Sequence, residues 1–454
     1  MILYYLTPKK RKNFILLLVS LLFYTWGEEE IVLVVLASTF IDFSCGLLIE
    51  KGKKNLGLAI SLVTNLSFLF FFKYFNFAFD NFAYITSKLG LGSSTVSDLP
   101  NIALPIGISF YTFQTLSYTI DVYRGNVKAN RNFVDFAAYV TMFPQLVAGP
   151  IVRYADINKQ LRNKSISFDN FSFGIQRFII GLAKKVLIAN TFAEIADSVF
   201  SQNINSLSTE YAWVGILAYS FQIYFDFSGY SDMAIGLGRM FGFTFLENFN
   251  YPYISKSIKE FWRRWHISLS SWFRDYIYIS LGGNRLSNLR TYLNLFIVFF
   301  VTGLWHGSSW NFVIWGLFHG IFIVIERLGF DKVLKKLWIP FQHLYTLLVV
   351  VIGWVFFRAD DIYQAKAILK KMFIYSRGDE YLVSYLNYFH LNLHTLFFLI
   401  TAIIFSMPVF DSFYKKIVDF KLFWVYSIIL IALMVGSIFY IGAESYNPFI
   451  YFRF

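Results

Sequence analysis

The sequence predicts an all-α, polytopic integral membrane protein, and three observations lead there. Of 454 residues, 57% are hydrophobic and only 15% charged; with a mean hydropathy of +0.53, this lies outside the range of an ordinary soluble domain. Apolar blocks of about 17–25 residues, the length that crosses a bilayer, recur from end to end. The runs 14–23, interrupted only by Ser20, and 68–72 show no alternation, whereas a transmembrane barrel needs it. The 55 Phe, 30 Tyr and 11 Trp suit a lipid-facing surface with rings at the interface. The net charge of +12 sits in short loops between apolar segments, which is positive-inside topology and not a nucleic-acid patch. A single cysteine, Cys45, excludes a disulfide framework and a multi-cysteine metal site.

Residues 1–7 are apolar but too short to span, and Lys9, Lys10, Arg11 and Lys12 follow. Either a first helix is cut short or a start lies upstream. Segments 14–26 and 31–49 are separated by Glu28, Glu29 and Glu30, and Lys51, Lys53 and Lys54 come next. That order puts 8–12 and 51–54 in the cytoplasm and the glutamates outside. No small-residue cleavage site follows the first apolar run, so no cleavable signal peptide is expected. Segment 56–79 leads to a Gly/Ser-rich loop at 90–101, and 102–120 returns. Segment 133–149 has basic loops on both sides, which conflicts with a simple crossing. Met142-Phe143-Pro144 and Gly149-Pro150 therefore read as a broken or re-entrant segment, tolerated where it is buried or lines a cavity.

Segment 171–190 carries an apolar stripe interrupted by Lys184 and Lys185 and reads as partly interfacial. Segments 211–227 and 230–245 read as two stretches around Asp226-Phe227-Ser228-Gly229-Tyr230-Ser231-Asp232. From 251 to 290, Lys/Arg at 256, 259, 263, 264, 274, 285 and 290 outweigh Glu260 and Asp275, marking a cytoplasmic block. Segments 292–305 and 308–327 form a hairpin. Segments 340–357, 396–410 and 422–443, with a return to Lys415, Lys416 and Lys421, bring the count to about ten to eleven membrane segments of crossing length. The chain reads as one transmembrane domain over 1–454, and no inverted repeat is visible between its halves.

Three of the six histidines lie between Glu260 and Gly320. If both ends of the hairpin are cytoplasmic, its 14-residue first arm reaches about 21 Å into a hydrocarbon core about 30 Å thick. His306 then turns inside the membrane, where an ionisable group marks a functional or water-lined site; the competing role is a neutral histidine hydrogen-bonded in a packed bundle. His266 sits among Phe261, Trp265, Leu269, Trp272 and Tyr276 at helical spacing, a stripe that reads first as an interfacial anchor. Lys259, Arg263, Arg264 and Arg274 nearby suit lipid headgroups or the phosphates of a nucleotide-like cofactor. His319 reads as a hydrogen-bonded structural residue. His343 has no companion motif, and His390 with His394 is a weak metal pattern. There is no HExxH, Walker-type or GxGxxG motif, so no metal is expected. A lone imidazole between two compartments can take a proton from an attacking hydroxyl and return it to a leaving group, and a thioester donor suits such a site.

The segments Leu104-Pro105-Ile106-Gly107-Ile108-Ser109-Phe110-Tyr111, Phe143-Pro144-Gln145-Leu146-Val147-Ala148-Gly149-Pro150, Phe225–Asp232, Trp262–Gly283, Trp305-His306-Gly307 and the Pro448–Phe452 ending carry a resemblance over nearly the whole chain. It resembles the membrane-bound O-acyltransferase (MBOAT) family, in the bacterial branch with the alginate and peptidoglycan O-acetylation proteins and the teichoic-acid D-alanylation protein. The resemblance implies a ring of helices around a central tunnel. It implies His306 as the catalytic histidine and His266 as a second site position, with Arg263, Arg274, Trp305, Gln145 and Asp226 shaping the tunnel. It departs from the family in the short 1–7 segment and in Ser280, where many relatives have proline.

The function so implied is a bacterial inner-membrane O-acetyltransferase subunit. Acetyl would pass from cytosolic acetyl-CoA, the donor substrate, through the membrane to a periplasmic partner protein for O-acetylation of an envelope polysaccharide, with peptidoglycan slightly favoured over an alginate-like polymer. His306 would be the base or carry the acyl group transiently, and His266 would orient or polarise the donor. Partners are membrane lipid and the polysaccharide, not nucleic acid. D-alanyl transfer from a carrier protein to teichoic acid, a proton-coupled transporter using His306 and Asp226, and a structural scaffold are the alternatives.

Overall fold

Helix is the only regular structure among the described residues of the computed structural model, which are 1–28, 31–90, 102, 104–379, 384, 392–409 and 422–443. Glu29, Glu30, nearly all of the Gly/Ser-rich loop, His390, Lys415, Lys416, Lys421 and the 448–452 ending lie outside them. Five described helices are long and apolar enough to cross a membrane: Val32–Glu50, Lys54–Lys88, Trp310–Leu334, Ile339–Arg358 and Phe423–Ala443. The other segments counted from the sequence are shorter, broken or more polar. Ile108–Arg124, for example, buries Thr112, Gln114, Thr115, Ser117 and Thr119.

The chain contacts fall into two compact units, Met1–Phe171 with Gly238–Leu246, and Ser172–Leu237 with Glu247–Phe454. In the first, a buried carboxylate ties helices together. Asp42 on Val32–Glu50 accepts from Ser61 Oγ (2.5 Å) and Asn65 Nδ2 (2.8 Å) on Lys54–Leu69. Thr115 of Ile108–Arg124 donates to Asn65 Oδ1 at 3.1 Å. Satisfied in this way, polar groups can sit where water is absent. The expected break is present: Phe133–Thr141 stops at Met142, whose ψ of 109° is not helical, and Phe143–Leu146 follows with proline in its first turn.

In the second unit, the two stretches expected around Gly229 are one helix, Thr209–Met240. Gly229 is a contact, not a break. A Cβ there would meet the Gly181 carbonyl oxygen at 2.7 Å, and a Cβ at Gly236 the Gly174 carbonyl at 2.5 Å. Glycines seven apart on each helix thus let two backbones touch. The lysines that interrupt segment 171–190 have partners on the same helix: Lys184 pairs with Asp232 at 2.7 Å and Lys185 with Asp226 at 3.0 Å.

The hairpin is longer than expected on its first arm. Ser287 Oγ accepts from Arg290 N, so the helix starts early and runs Asn288–His306, 19 residues, about 28 Å at 1.5 Å per residue. The arm's length alone therefore does not hold His306 at mid-membrane. Its arms pack on glycine, because side chains at Gly303 and Gly316 would each strike the opposite backbone. Trp315, Trp354, Phe261 and Trp265 form the core around this hairpin.

Candidate active site

The site begins with a chain reversal that local propensity does not announce. Ser257 Oγ caps Ile258–Arg264 by accepting from Glu260 N at 3.1 Å. At its other side, Glu326, 2% exposed, accepts from the N–H groups of Ile258 (2.6 Å) and Lys259 (3.0 Å). A carboxylate on free N-terminal amides is a charge-assisted pairing. The helix ends at Trp265, and His266 takes φ +44° before Ile267–Phe273 starts. A non-glycine residue in that region is uncommon. The aromatic stripe is consequently not one helix, and it is not an interfacial anchor: Phe261, Trp265, Leu269, Trp272 and Tyr276 are all buried.

His266 is fully buried. Its Nδ1 lies 3.1 Å from Asn248 Oδ1, and its Nε2 has no hydrogen-bond partner among the described residues. It lies outside the five spanning helices, and burial pushes its imidazole down to about 3, so the ring is neutral. Its ring stands edge-on to Phe227, with centroids 4.6 Å apart, and lies 6.0 Å from Trp305. Trp305 in turn is 4.8 Å from the His306 ring. The two histidines therefore flank one indole.

His306 is the last residue of its helix and is 6% exposed. Its ring is boxed by Trp305, by Trp315 at 4.9 Å and by Phe357 at 5.1 Å. Two cavities lie near this box, and His306 itself lines neither. One, of about 550 Å³, is lined by Trp262, Phe273, Val298, Phe299 and Thr302, by the cations Lys259, Arg263, Arg274 and Arg327, and by the acids Glu326 and Asp331. Thr302 is one helical turn before His306, and Trp262 is 5.6 Å from Trp315. The other, of about 290 Å³, is lined by Gly307, Ser308, Ser309, Phe357 and Arg358, so it touches the residue after His306 and the ring beside it.

The residues singled out in the sequence are distributed unevenly. Arg263 and Arg274 line the larger cavity. Arg274 is paired with Asp275 at 2.7 Å, while Arg263 has no carboxylate partner among the described residues. Asp226 lines neither cavity and is held in its pair with Lys185. Gln145 belongs to the other unit, where it is buried and donates to the Tyr139 carbonyl at 3.3 Å. His319 is buried as expected but not hydrogen-bonded: both nitrogens lack a partner among the described residues, and the ring packs on Trp262 and Trp315. His343 Nδ1 lies 3.1 Å from the Ser255 carbonyl, and His394 lies against Phe398. Sequence reading missed Asn248, Glu326 and Trp315. Glu326 alone carried a signal, as an acid at the end of an apolar run next to Arg327.

Residues 31–359, which include both histidines, Arg263 and Arg274, match the profile described as MBOAT, membrane-bound O-acyltransferase family. The chain is 42% identical to a Pseudomonas putida protein named probable alginate O-acetylase AlgI, over 100% of this chain and 96% of that protein. It is 37% identical to the peptidoglycan O-acetyltransferase of Helicobacter pylori, over 79% of this chain and 73% of that protein. With the teichoic acid D-alanyltransferase of Bacillus subtilis it shares 31% identity, over 56% of this chain and 67% of that protein. The chain is thus an integral membrane acyltransferase, and it belongs to the membrane-bound O-acyltransferase family.

Proposed function

We propose that this protein is a transmembrane O-acetyltransferase subunit that takes acetyl from cytosolic acetyl-CoA for O-acetylation of an envelope polysaccharide at a bacterial inner membrane. The observation that supports this reading is the position of His306 beside Gly307 and Phe357, which line the smaller cavity, and one helical turn from Thr302, which lines the larger. The lining of the larger sets four cationic side chains, Lys259, Arg263, Arg274 and Arg327, against two acidic ones, Glu326 and Asp331, among apolar residues. That combination suits the phosphates and the extended arm of coenzyme A, since guanidinium groups bind phosphate in a fork.

In the reaction, His306 takes the proton of an acceptor hydroxyl as its oxygen attacks the thioester carbonyl carbon. The tetrahedral intermediate collapses with cleavage of the C–S bond, and the imidazolium returns its proton to the leaving thiolate. His266, neutral, orients the donor. A periplasmic partner protein receives the acetyl and completes transfer to the sugar. The higher identity and fuller coverage of the alginate O-acetylase support an alginate-like polymer over peptidoglycan as the final acceptor, the reverse of the preference drawn from the sequence. A carrier-protein donor would present the same arm without the nucleotide phosphates, which leaves the lining cations with less to bind.

The test is transfer of radiolabelled acetyl from acetyl-CoA by purified protein, wild type against His306→Ala, with and without polysaccharide and periplasmic extract. Transfer by the wild type that the variant loses supports the reading. A folded wild type that neither binds acetyl-CoA nor transfers label sinks it.

A further inference from the structure

The structure assigns Asn248 a role in this site: it fixes which nitrogen of His266 carries the proton and presents the other, Nε2, as a bare hydrogen-bond acceptor. The inference rests on the proposed acetyl transfer for its kinetic consequence but not for its chemistry.

The argument turns on one atom. Asn248 Oδ1 lies 3.2 Å from the backbone N of Ser268, 2.9 Å from Ser268 Oγ and 3.1 Å from His266 Nδ1. A backbone N–H can only donate. The Asn248 atom facing it must therefore accept, which makes it the carbonyl oxygen and not the amide nitrogen. The nitrogen, on the other side, donates to Ser231 Oγ at 3.1 Å on the helix Thr209–Met240. With the amide orientation settled by that network, His266 Nδ1 faces an acceptor and must itself donate. In a neutral ring, Nε2 is then the lone-pair nitrogen.

The surroundings hold this arrangement in place. Asn248 is 1% exposed and Ser268 1%. The Asn248 backbone carbonyl accepts from Ile267 N at 2.9 Å, and Asn250 N donates to the Arg264 carbonyl at 2.9 Å. The strand-like stretch after Thr209–Met240 is thus stitched along both sides of His266, which accounts for the φ of +44° at this position. The choice of amide over carboxylate matters. A carboxylate at 248 would favour the imidazolium, whose two N–H groups both donate, and would take away the acceptor at Nε2. Asn248 sets the tautomer without adding charge. Nε2, buried and with no hydrogen-bond partner among the described residues, is left as a bare acceptor, although His266 lines neither cavity.

Asn248 is a positioning residue, and its test needs a readout that simple destabilisation would not move. In full-length protein labelled with ¹⁵N-histidine, with the His266 signals assigned by their loss in His266→Gln, the wild type should show Nδ1 protonated and Nε2 unprotonated near neutral pH. Asn248→Leu should lose the single tautomer, and Asn248→Asp should show protonation at both nitrogens. In acetyl transfer, Asn248→Leu should lower kcat by about 10–100-fold, the range for removing an orienting partner of a functional histidine, with donor KM within about twofold. Ser268→Ala, which leaves the backbone donor, should keep both tautomer and kcat near wild type. Nε2 protonated in the wild type overturns the inference, and so does an Asn248→Leu protein with the wild-type tautomer or kcat. If the wild type shows no acetyl transfer, the proposed function fails while the nitrogen spectra still decide the tautomer assignment.

Discussion

The indole of Trp315 stands edge-on to the imidazole of His306, with centroids 4.9 Å apart and planes at 87°. Trp315 is fully buried and also contacts Trp262, His319 and Phe357. It is therefore both a wall of the His306 box and a link to the larger cavity. Edge-to-face packing prefers one ring orientation, so the indole limits how far the imidazole can rotate. Replacing a buried tryptophan with alanine costs about 3–5 kcal/mol of stability. Trp315→Phe keeps an edge and much of the volume. We expect Trp315→Phe to lower kcat several-fold with donor KM nearly unchanged, and Trp315→Ala to lose folded protein as well. Steady-state kinetics beside thermal unfolding in detergent separates the two effects. An unchanged kcat in a folded Trp315→Ala protein would remove the positioning role.

His266 gives a stability prediction with a definite sign. Burial lowers its folded pKa to about 3 from 6.5. Between those values the unfolded chain holds the proton and the folded chain does not, so stability falls as pH drops below 6.5. The slope from this one group is at most about 1.4 kcal/mol per pH unit. Above pH 7 the ring is neutral in both states and contributes no slope. His266→Asn should remove this share of the acid sensitivity. The measurement is chemical or thermal unfolding of both proteins at several pH values from 7.5 to 5, and parallel curves would show that His266 is not buried as a neutral ring.

How much of this was legible in the sequence depends on whether a residue's role is local. The break at Met142, flanked by proline and by basic loops, and the hairpin around His306 were readable because the breakers are in the chain itself. Gly229 misled, since a glycine that admits a neighbouring helix has the same local look as one that ends a helix. Thr209–Met240 runs straight through Gly229, which with Gly236 faces Gly181 and Gly174. The reversal at His266 has no glycine or proline and is imposed by hydrogen bonds to 248–250, which lie 16–18 residues away. Asn248 and Trp315 take their meaning from contacts that no spacing rule encodes. Arg263 and Arg274 were found because cationic side chains clustered beside an apolar segment are unusual enough to stand out.

The Gly229–Gly181 approach can be tested directly. Gly229→Val places carbon where the Gly181 carbonyl now sits, and backbone cannot move aside as a flexible side chain can. It should lower the yield of folded protein sharply, with a thermal midpoint many degrees below wild type where any is recovered. Gly442 makes the matched control, because a Cβ there meets nothing within 4 Å. Alanine at that helical position should be neutral or stabilising by up to about 1 kcal/mol. Equal tolerance of Gly229→Val and Gly442→Ala would show that the two helices do not touch at glycine.

Arg263 and Arg274 both face the larger cavity, yet their surroundings predict different sensitivities. Arg274 is engaged by Asp275 through Nε at 2.7 Å and Nη2 at 3.0 Å, so part of its charge is already neutralised. Arg263 has no such partner among the described residues. A hydrogen bond to a charged group is worth about 1.5–3 kcal/mol, which corresponds to roughly 10–100-fold in affinity. If Arg263 binds donor phosphate, Arg263→Ala should raise the KM for acetyl-CoA by about that factor with kcat within twofold, the pattern of lost uniform binding. Arg274→Ala should have a smaller effect. Asp275→Asn, which frees the guanidinium, should lower KM for a phosphate-bearing donor. Added salt should weaken wild-type donor binding and affect Arg263→Ala less, because the variant has already lost the charge being screened. A KM unchanged in Arg263→Ala at both low and high salt would place the donor's phosphates elsewhere, and the cations that line the cavity would then serve the membrane surface.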